Sequence, residues 1–413
     1  MISADGIARR LSGLDGIGVG SGGVVRMAWT PEDAACRAWF ARQASELGLW
    51  LSRDPAGNLW ACPADASPWW AVGSHLDSVR GGGRFDGPLG VACAFEIAAS
   101  SPLPIAVISF SDEEGARFNT PTFGSKALAG RLDLPRVLER RDDQGISLRD
   151  ALRGAGVDPD GVAHASGWLG KLAGFVELHI DQSTEVAGAG APAGVVGALV
   201  SRLRLEVEIR GRPDHAGTTP PLQRRDALAA GARLIVAAEE QSEGLDRLIA
   251  TTARITAEPN ATTTIPARVK LWVDVRAPQP AAIDKWLDRF TRVARQLARD
   301  AGVEIELATA SRSGRQPFDP RLRTALAHAC SELLGGAVPE VLCFAGHDAG
   351  VLAQRIPAAM ILVRNATGVS HAPQETVDLE DAALAAQAVG RALRAVAPLR
   401  SVAADGDAPE GSF

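Results

Sequence analysis

Four short apolar runs constrain this chain more than any other feature. Trp69-Trp70-Ala71-Val72-Gly73, Pro104 to Phe110, Phe175 to Ile180 and Ala358 to Val363 are each almost continuously hydrophobic. That pattern belongs to strands covered on both faces in the middle of a parallel sheet, not to strands with one wet face. Each run leads, at or near its C-terminal end, to side chains that bind cations or move protons: His75, Glu113 with Glu114, His179, and His371 in the loop after the fourth run. Open α/β sheets bind ligands in the crevice beyond the carboxyl ends of their strands. The four ends therefore point to one crevice, and three of the chain's seven histidines fall in equivalent positions around it.

Between the third and fourth runs the period changes to two. Leu203, Leu205, Val207 and Ile209 alternate with Arg202, Arg204, Glu206, Glu208 and Arg210, as on a sheet with one wet face. A helix follows from Asp226 to Glu239, then strands around Leu248 to Thr256 and Val269 to Arg276, a helix from Pro280 to Ala301, and a strand around Val303 to Leu307. This β-α-β-β-α-β order is a ferredoxin-like unit. With 413 residues, more than one domain is expected. The spacing places a first catalytic segment at 1–200, an inserted domain at 201–314, a second catalytic segment at 315–400 and a small, acidic, disordered tail at 401–413.

The stretch from Ser74 to Gly87 holds two candidate metal ligands, His75 and Asp86, separated by a glycine-rich turn. Asp77, two residues after His75, is the expected partner for the ring nitrogen that does not face a metal. Pro88 to Ser100 reads as a helix, as does the segment opened by Thr30-Pro31-Glu32-Asp33 and closed by Gly48. Ser111-Asp112-Glu113-Glu114-Gly115 sets adjacent acids directly behind a buried strand. One of Glu113 and Glu114 suffices as a ligand, which leaves the other free as a general base. A mixed nitrogen and oxygen set of this kind suits zinc, manganese, cobalt or nickel better than magnesium or calcium. If Asp86 bridges, two divalent ions can be held. Gly18, Gly20 and Gly23 match GxGxxG, but no strand precedes them, so a loop is expected there and not a nucleotide site. His164 and His328 read as ordinary surface or helix residues, and His347 as a structural neighbour of the site.

Composition excludes several classes. The net charge of −6, without a basic cluster, argues against nucleic acid as partner. Five scattered cysteines without CxxC spacing give neither a disulfide framework nor a cysteine metal site and fit a reducing cytoplasm. No signal peptide and no apolar stretch of membrane-spanning length are recognisable, so a soluble cytoplasmic protein acting on a small molecule is expected.

Seven ordered motifs resemble a known family: His75-Leu-Asp77-Ser, Gly-Gly-Arg-Phe-Asp86-Gly, Asp-Glu113-Glu114-Gly-Ala-Arg-Phe, Glu-Leu-His179-Ile-Asp-Gln182, His215-Ala-Gly-Thr-Thr-Pro, Gly-His347-Asp-Ala and Gly-Val-Ser370-His371. They look like the N-carbamoyl-L-amino-acid hydrolase and allantoate amidohydrolase branch of the di-metal aminoacylase and exopeptidase superfamily, over about Arg26 to Glu375. The resemblance implies an α/β fold: a mixed-sheet di-metal hydrolase domain with an inserted ferredoxin-like α+β lid and dimerisation domain. It implies two divalent ions per chain, zinc foremost, with His75, Asp86 and His179 on one and Asp86, Glu114 and His371 on the other, and Glu113 as base. Gln182, His215, Thr263, Arg276 and Ser370 would bind substrate. His215 would also stabilise the developing oxyanion across the interface of a homodimer formed through residues 201–314. The implied reaction is metal-dependent hydrolysis of the ureido C–N bond of an N-carbamoyl-L-amino acid or of allantoate, releasing ammonia and carbon dioxide; aminoacylase or dipeptidase chemistry on the same site is the alternative. Two positions depart from the family. Asp181-Gln182-Ser183 stands where Glu-Gln-Gly is usual, and Thr263 stands where an Asn usually helps hold the substrate carboxylate, leaving that task to Arg276.

Overall fold

The central sheet carries the strands Trp50–Arg53, Leu59–Cys62, Trp69–His75, Ile105–Phe110, Leu172–Ile180, Ala193–Leu199 and Ala358–Val363. The structure, a computed structural model, describes residues 2–20, 22–64 and 67–397; the expected tail at 401–413 lies outside the described residues. The chain divides into two units. One comprises residues up to Val195, Asp319–Pro339 and residues from Arg355 onward; the other comprises Val196–Phe318 and Glu340–Gln354.

In the first unit the four apolar runs lie side by side. Ala358–Val363, Leu172–Ile180, Trp69–His75 and Ile105–Phe110 are parallel neighbours in that order, and antiparallel strands flank them on both sides. Register sets the ligand-bearing residues level: His75 pairs with Phe110, and His179 pairs with Leu362. Helices Ala4–Ser12, Pro88–Ser100 and Leu379–Val396 pack together over a core that includes Phe95, Ile97, Val176, Leu178, Ile361 and Val389. The residues expected as a loop at Gly18 to Gly23 form instead a short antiparallel hairpin, Val19–Gly20 with Gly23–Val24. Its purpose is local: Val24 N–H donates to the Gly82 carbonyl and Gly82 N–H to that of Val24, both at 2.9 Å, so the hairpin braces the turn between His75 and Asp86.

The second unit is the ferredoxin-like element. Its strand order is Ile249–Glu258, Arg268–Ala277, Ser201–Arg210, Glu304–Ser313, all antiparallel. Leu203, Leu205, Val207 and Ile209 are buried with Val269, Leu271, Val273 and Val275 against helices Ala227–Glu240 and Pro280–Ala301. A one-residue slip would turn all of these outward, at about 1.5–3 kcal/mol for each large apolar side chain, so the alternation fixes the register. The unit takes in Glu340–Gln354, a segment the sequence assigned to the catalytic part; Val200 N–H donates to the Cys343 carbonyl, a link between residues far apart in the chain that no local pattern reveals. Among the described residues no helix is long and apolar enough to cross a membrane.

Candidate metal centre and active site

His75 and His179 fix the character of the site. His75 ends its strand, and its Nδ1 lies 3.1 Å from the backbone carbonyl of Asp77; Nδ1 of His179 lies 3.0 Å from the carbonyl of Ile180. A carbonyl can only accept, so both Nδ1 atoms carry the proton, and in the neutral rings both Nε2 atoms present lone pairs. Those Nε2 atoms are 3.5 Å apart and lie 3.5 Å and 3.1 Å from the same oxygen, Asp86 Oδ1. Two lone pairs and a carboxylate oxygen aimed at one point call for a cation. Donors on a tetrahedral ion with bonds of about 2.0–2.1 Å stand about 3.3 Å apart, which is the spacing found.

The other oxygen of Asp86 faces a second set. His371 Nε2 is 3.4 Å from Asp86 Oδ2 and 3.4 Å from Glu114 Oε1, and that glutamate oxygen is buried without a hydrogen-bond partner. The ligand atoms of His75, Asp86 and His179 all lie within 4.8 Å of one another, as do those of Asp86, Glu114 and His371. These residues fit two divalent ions sharing Asp86. Glu113 belongs to neither of these groups of three; its Oε2 is 3.9 Å from His75 Nε2, beside the site.

The charges point the same way. Burial opposes ionisation of Glu114, and the nearby Asp86 adds to it, pushing its carboxyl up to about 8. Burial also works against the charged form of Asp86, yet without metal the protonated His179 and His75 rings, donating from Nε2, hold it well below the usual carboxylate range. Burial disfavours a charged His75 ring, but Asp86, Glu113 and Asp77 hold its pKa well above the ordinary value. Carboxylates and imidazoles crowded together compete for protons that divalent ions would displace.

Local backbone geometry delivers these groups. Gly87, at φ +85°, lets the chain turn from Asp86 into helix Pro88–Ser100, and a Cβ there would stand 2.5 Å from the His75 ring. Asp112 and His371, both non-glycine, adopt φ of 50° and 56°, a sparsely populated region that surrounding structure must enforce and that clusters at functional sites. Asp77 meets the expectation for His75 in two ways: its backbone carbonyl lies 3.1 Å and its carboxylate Oδ1 3.7 Å from Nδ1 of the ring. The same carboxylate accepts the N–H groups of Glu113 and Glu114, each at 3.1 Å, and so positions the acid pair. Gln182 Nε2 and Ser370 Oγ, expected at the substrate, donate to Asp86 Oδ2 at 2.9 Å and 3.3 Å. Asp181 closes the departure noted at that motif: its Oδ1 accepts from both the N–H and the hydroxyl of Ser183. Glu375 was not singled out from the sequence; its Oε2 accepts the N–H groups of Phe85 (2.9 Å) and Asp86 (3.0 Å).

The other candidates lie in the second unit. Nδ1 of His215 accepts the N–H groups of Gly217 (3.0 Å) and Thr218 (3.2 Å), which puts the proton of the neutral ring on Nε2 and makes that atom a donor. Thr263 is its neighbour: His215 pairs with Thr264, and Ala216 N–H donates to the Thr263 carbonyl. Arg276 has surroundings of its own. Its Nε donates to Asp274 Oδ1 and its Nη1 to the Phe344 carbonyl, both at 2.6 Å, so only the Nη1/Nη2 end remains for a two-point clamp.

Comparison with known proteins decides the affiliation. The model of Peptidase family M20/M25/M40 matches residues 71–395. The chain belongs to this family. Among relatives of this M20 chain, the N-carbamoyl-L-amino acid amidohydrolase of Geobacillus stearothermophilus is 35% identical over 399 residues, covering 94% of this chain and 97% of that one. The allantoate amidohydrolase of Bacillus subtilis is 31% identical over 365 residues, 86% of this chain and 88% of that one. A crystal structure of an amidase of the hydantoinase/carbamoylase family from Burkholderia vietnamiensis superposes with a TM-score of 0.86 at 29% identity, covering 95% and 97% of the two chains. The M20 chain is a hydrolase of C–N bonds other than peptide bonds, with the α/β fold and inserted domain of these relatives.

Proposed function

We propose that this chain hydrolyses the ureido C–N bond of a small carboxylate substrate, an N-carbamoyl-L-amino acid or allantoate, using two divalent ions. The supporting observation is the division of Asp86, with Oδ1 facing the lone pairs of His75 and His179 and Oδ2 facing His371 beside Glu114. The ions, zinc first and manganese, cobalt or nickel as substitutes, would polarise the ureido carbonyl and the attacking water. Glu113 takes the proton of that water on its carboxylate and returns it to the departing nitrogen. The products are ammonia and a carbamate, which decomposes to the amine and carbon dioxide. Nε2–H of His215 donates to the oxygen that gains charge. Gln182, Ser370 and Thr263 line the substrate, and the Nη1/Nη2 end of Arg276 takes its carboxylate.

A homodimer through residues 201–314 belongs to the same reading. It is supported by the unpaired edge of strand Ile249–Glu258 and by the exposure of Leu222, Leu228, Val236, Ile249 and Ile255. Five buried cysteine thiols support a cytoplasmic setting.

A panel of N-carbamoyl amino acids, allantoate, N-acetyl amino acids and dipeptides, assayed after loading with zinc, manganese or cobalt, tests the function. Ammonia release from a carbamoyl substrate or allantoate is expected; free amino acid from acetyl or dipeptide substrates without ammonia would replace this reading by an aminoacylase or dipeptidase. Arg276→Lys should raise KM for the carboxylate substrate about 10- to 100-fold, the worth of a charge-assisted bond, with metal content unchanged. Neutral amide analogues should be nearly indifferent to the change. Equal losses for charged and neutral substrates would assign Arg276 to bracing Asp274 and Phe344.

A further inference from the structure

Asp86 has to aim two oxygens at two different ligand sets, yet it follows three consecutive glycines and precedes a fourth at Gly87. Neither the strand ending at His75 nor the helix beginning at Pro88 includes it. We propose that Glu375 is the positioning residue that sets Asp86 relative to His371. The inference rests on the two-ion reading above.

Two independent observations carry it. One oxygen of Glu375, Oε2, accepts the N–H groups of both Phe85 and Asp86, residues 290 and 289 positions away, and the side chain is only 5% exposed. The loop also passes so close at Gly83 that a Cβ there would overlap Glu375 Oε2. Glu375 belongs to the turn that carries His371, where its own N–H donates to the Ala372 carbonyl at 3.1 Å. One side chain thus ties the Asp86 loop to the His371 loop. Among the described residues no Lys or Arg forms an ion pair with Glu375: its Oε1 is buried without a hydrogen-bond partner, and another acid, Asp86, lies beside it. A buried acid in that company is costly unless its placement serves something. His75 and His179 need no such tie, since each is held by its own strand. The ion bound by Asp86, Glu114 and His371 therefore depends on Glu375 more than the other does.

Cobalt titration of chelator-stripped protein, followed by visible absorption and calorimetry, tests this without reference to activity. Glu375→Ala should leave the tighter ion within a few-fold and weaken the second about 10- to 100-fold, the usual effect of losing a partner that orients ligands. Glu375→Gln, whose single carbonyl oxygen can still accept both N–H groups, should restore most of that affinity. Gly83→Ala, which pushes on the same oxygen, should reproduce the loss if Glu375→Ala folds poorly. Unchanged affinity for both ions in Glu375→Ala, or equal losses of both ions that Glu375→Gln does not rescue, would overturn the proposal. Asp86→Ala in the same titration isolates the underlying reading: if that variant still binds two ions, the two-ion site is wrong whatever Glu375 does.

Discussion

Replacing Glu113 by Gln is expected to lower kcat by about 10² to 10⁴-fold while the protein keeps both ions and its KM changes little. That range is what a positioned proton-transfer group contributes. The metal is expected to stay because Glu113 belongs to neither ligand set; its Oε2 stands 3.9 Å from His75 Nε2. Glu114→Gln should fail differently. Its buried Oε1 has no hydrogen-bond partner and stands 3.4 Å from His371 Nε2, so the amide should lose metal first and activity as a consequence. Metal analysis beside steady-state kinetics on the two variants checks the pair, and exchanged phenotypes would reverse the roles.

Asp86→Ala should abolish measurable activity and empty both ion positions. Removal of an ordinary ligand weakens one ion; removal of the shared one strips Oδ1 from the His75 and His179 set and Oδ2 from the Glu114 and His371 set together. The chain should still fold, because Asp86 lies outside strand and helix and its backbone N–H, which donates to Glu375 beside that of Phe85, survives the substitution. Metal content near zero, with native circular dichroism, is the expected result.

The catalytic sheet was legible because its strands are buried on both faces and advertise themselves as apolar runs. The second unit was legible because alternation over ten residues of Ser201–Arg210 admits one register. The residues the sequence brought forward as ligands are gathered by the fold into one place: His75, Glu114 and His179 stand at or just beyond strand ends, Asp86 just before helix Pro88–Ser100, and His371 in the loop after Ala358–Val363. Interactions through backbone groups escaped notice. Asp77 was expected beside the His75 ring and is there, but that its carboxylate also accepts the N–H groups of Glu113 and Glu114 is encoded in no residue pattern. Glu375 was invisible for the same reason: its partners are main-chain N–H groups 290 and 289 residues away. The hairpin at Gly18 to Gly23 follows from pairing with Gly82, which a local reading of glycines as loop cannot supply. The Gln182 and Ser370 side chains reach Asp86 Oδ2, contacts that depend on loops whose paths only the folded chain sets.

That Asp86 serves two ions is the central claim. Anomalous diffraction at the zinc edge from crystals of zinc-loaded protein tests it most directly. The account predicts two anomalous peaks, one between Asp86 Oδ1 and the Nε2 atoms of His75 and His179, the other between Asp86 Oδ2, Glu114 and His371. A single peak, or a pair lying elsewhere with Asp86 touching neither, would contradict it.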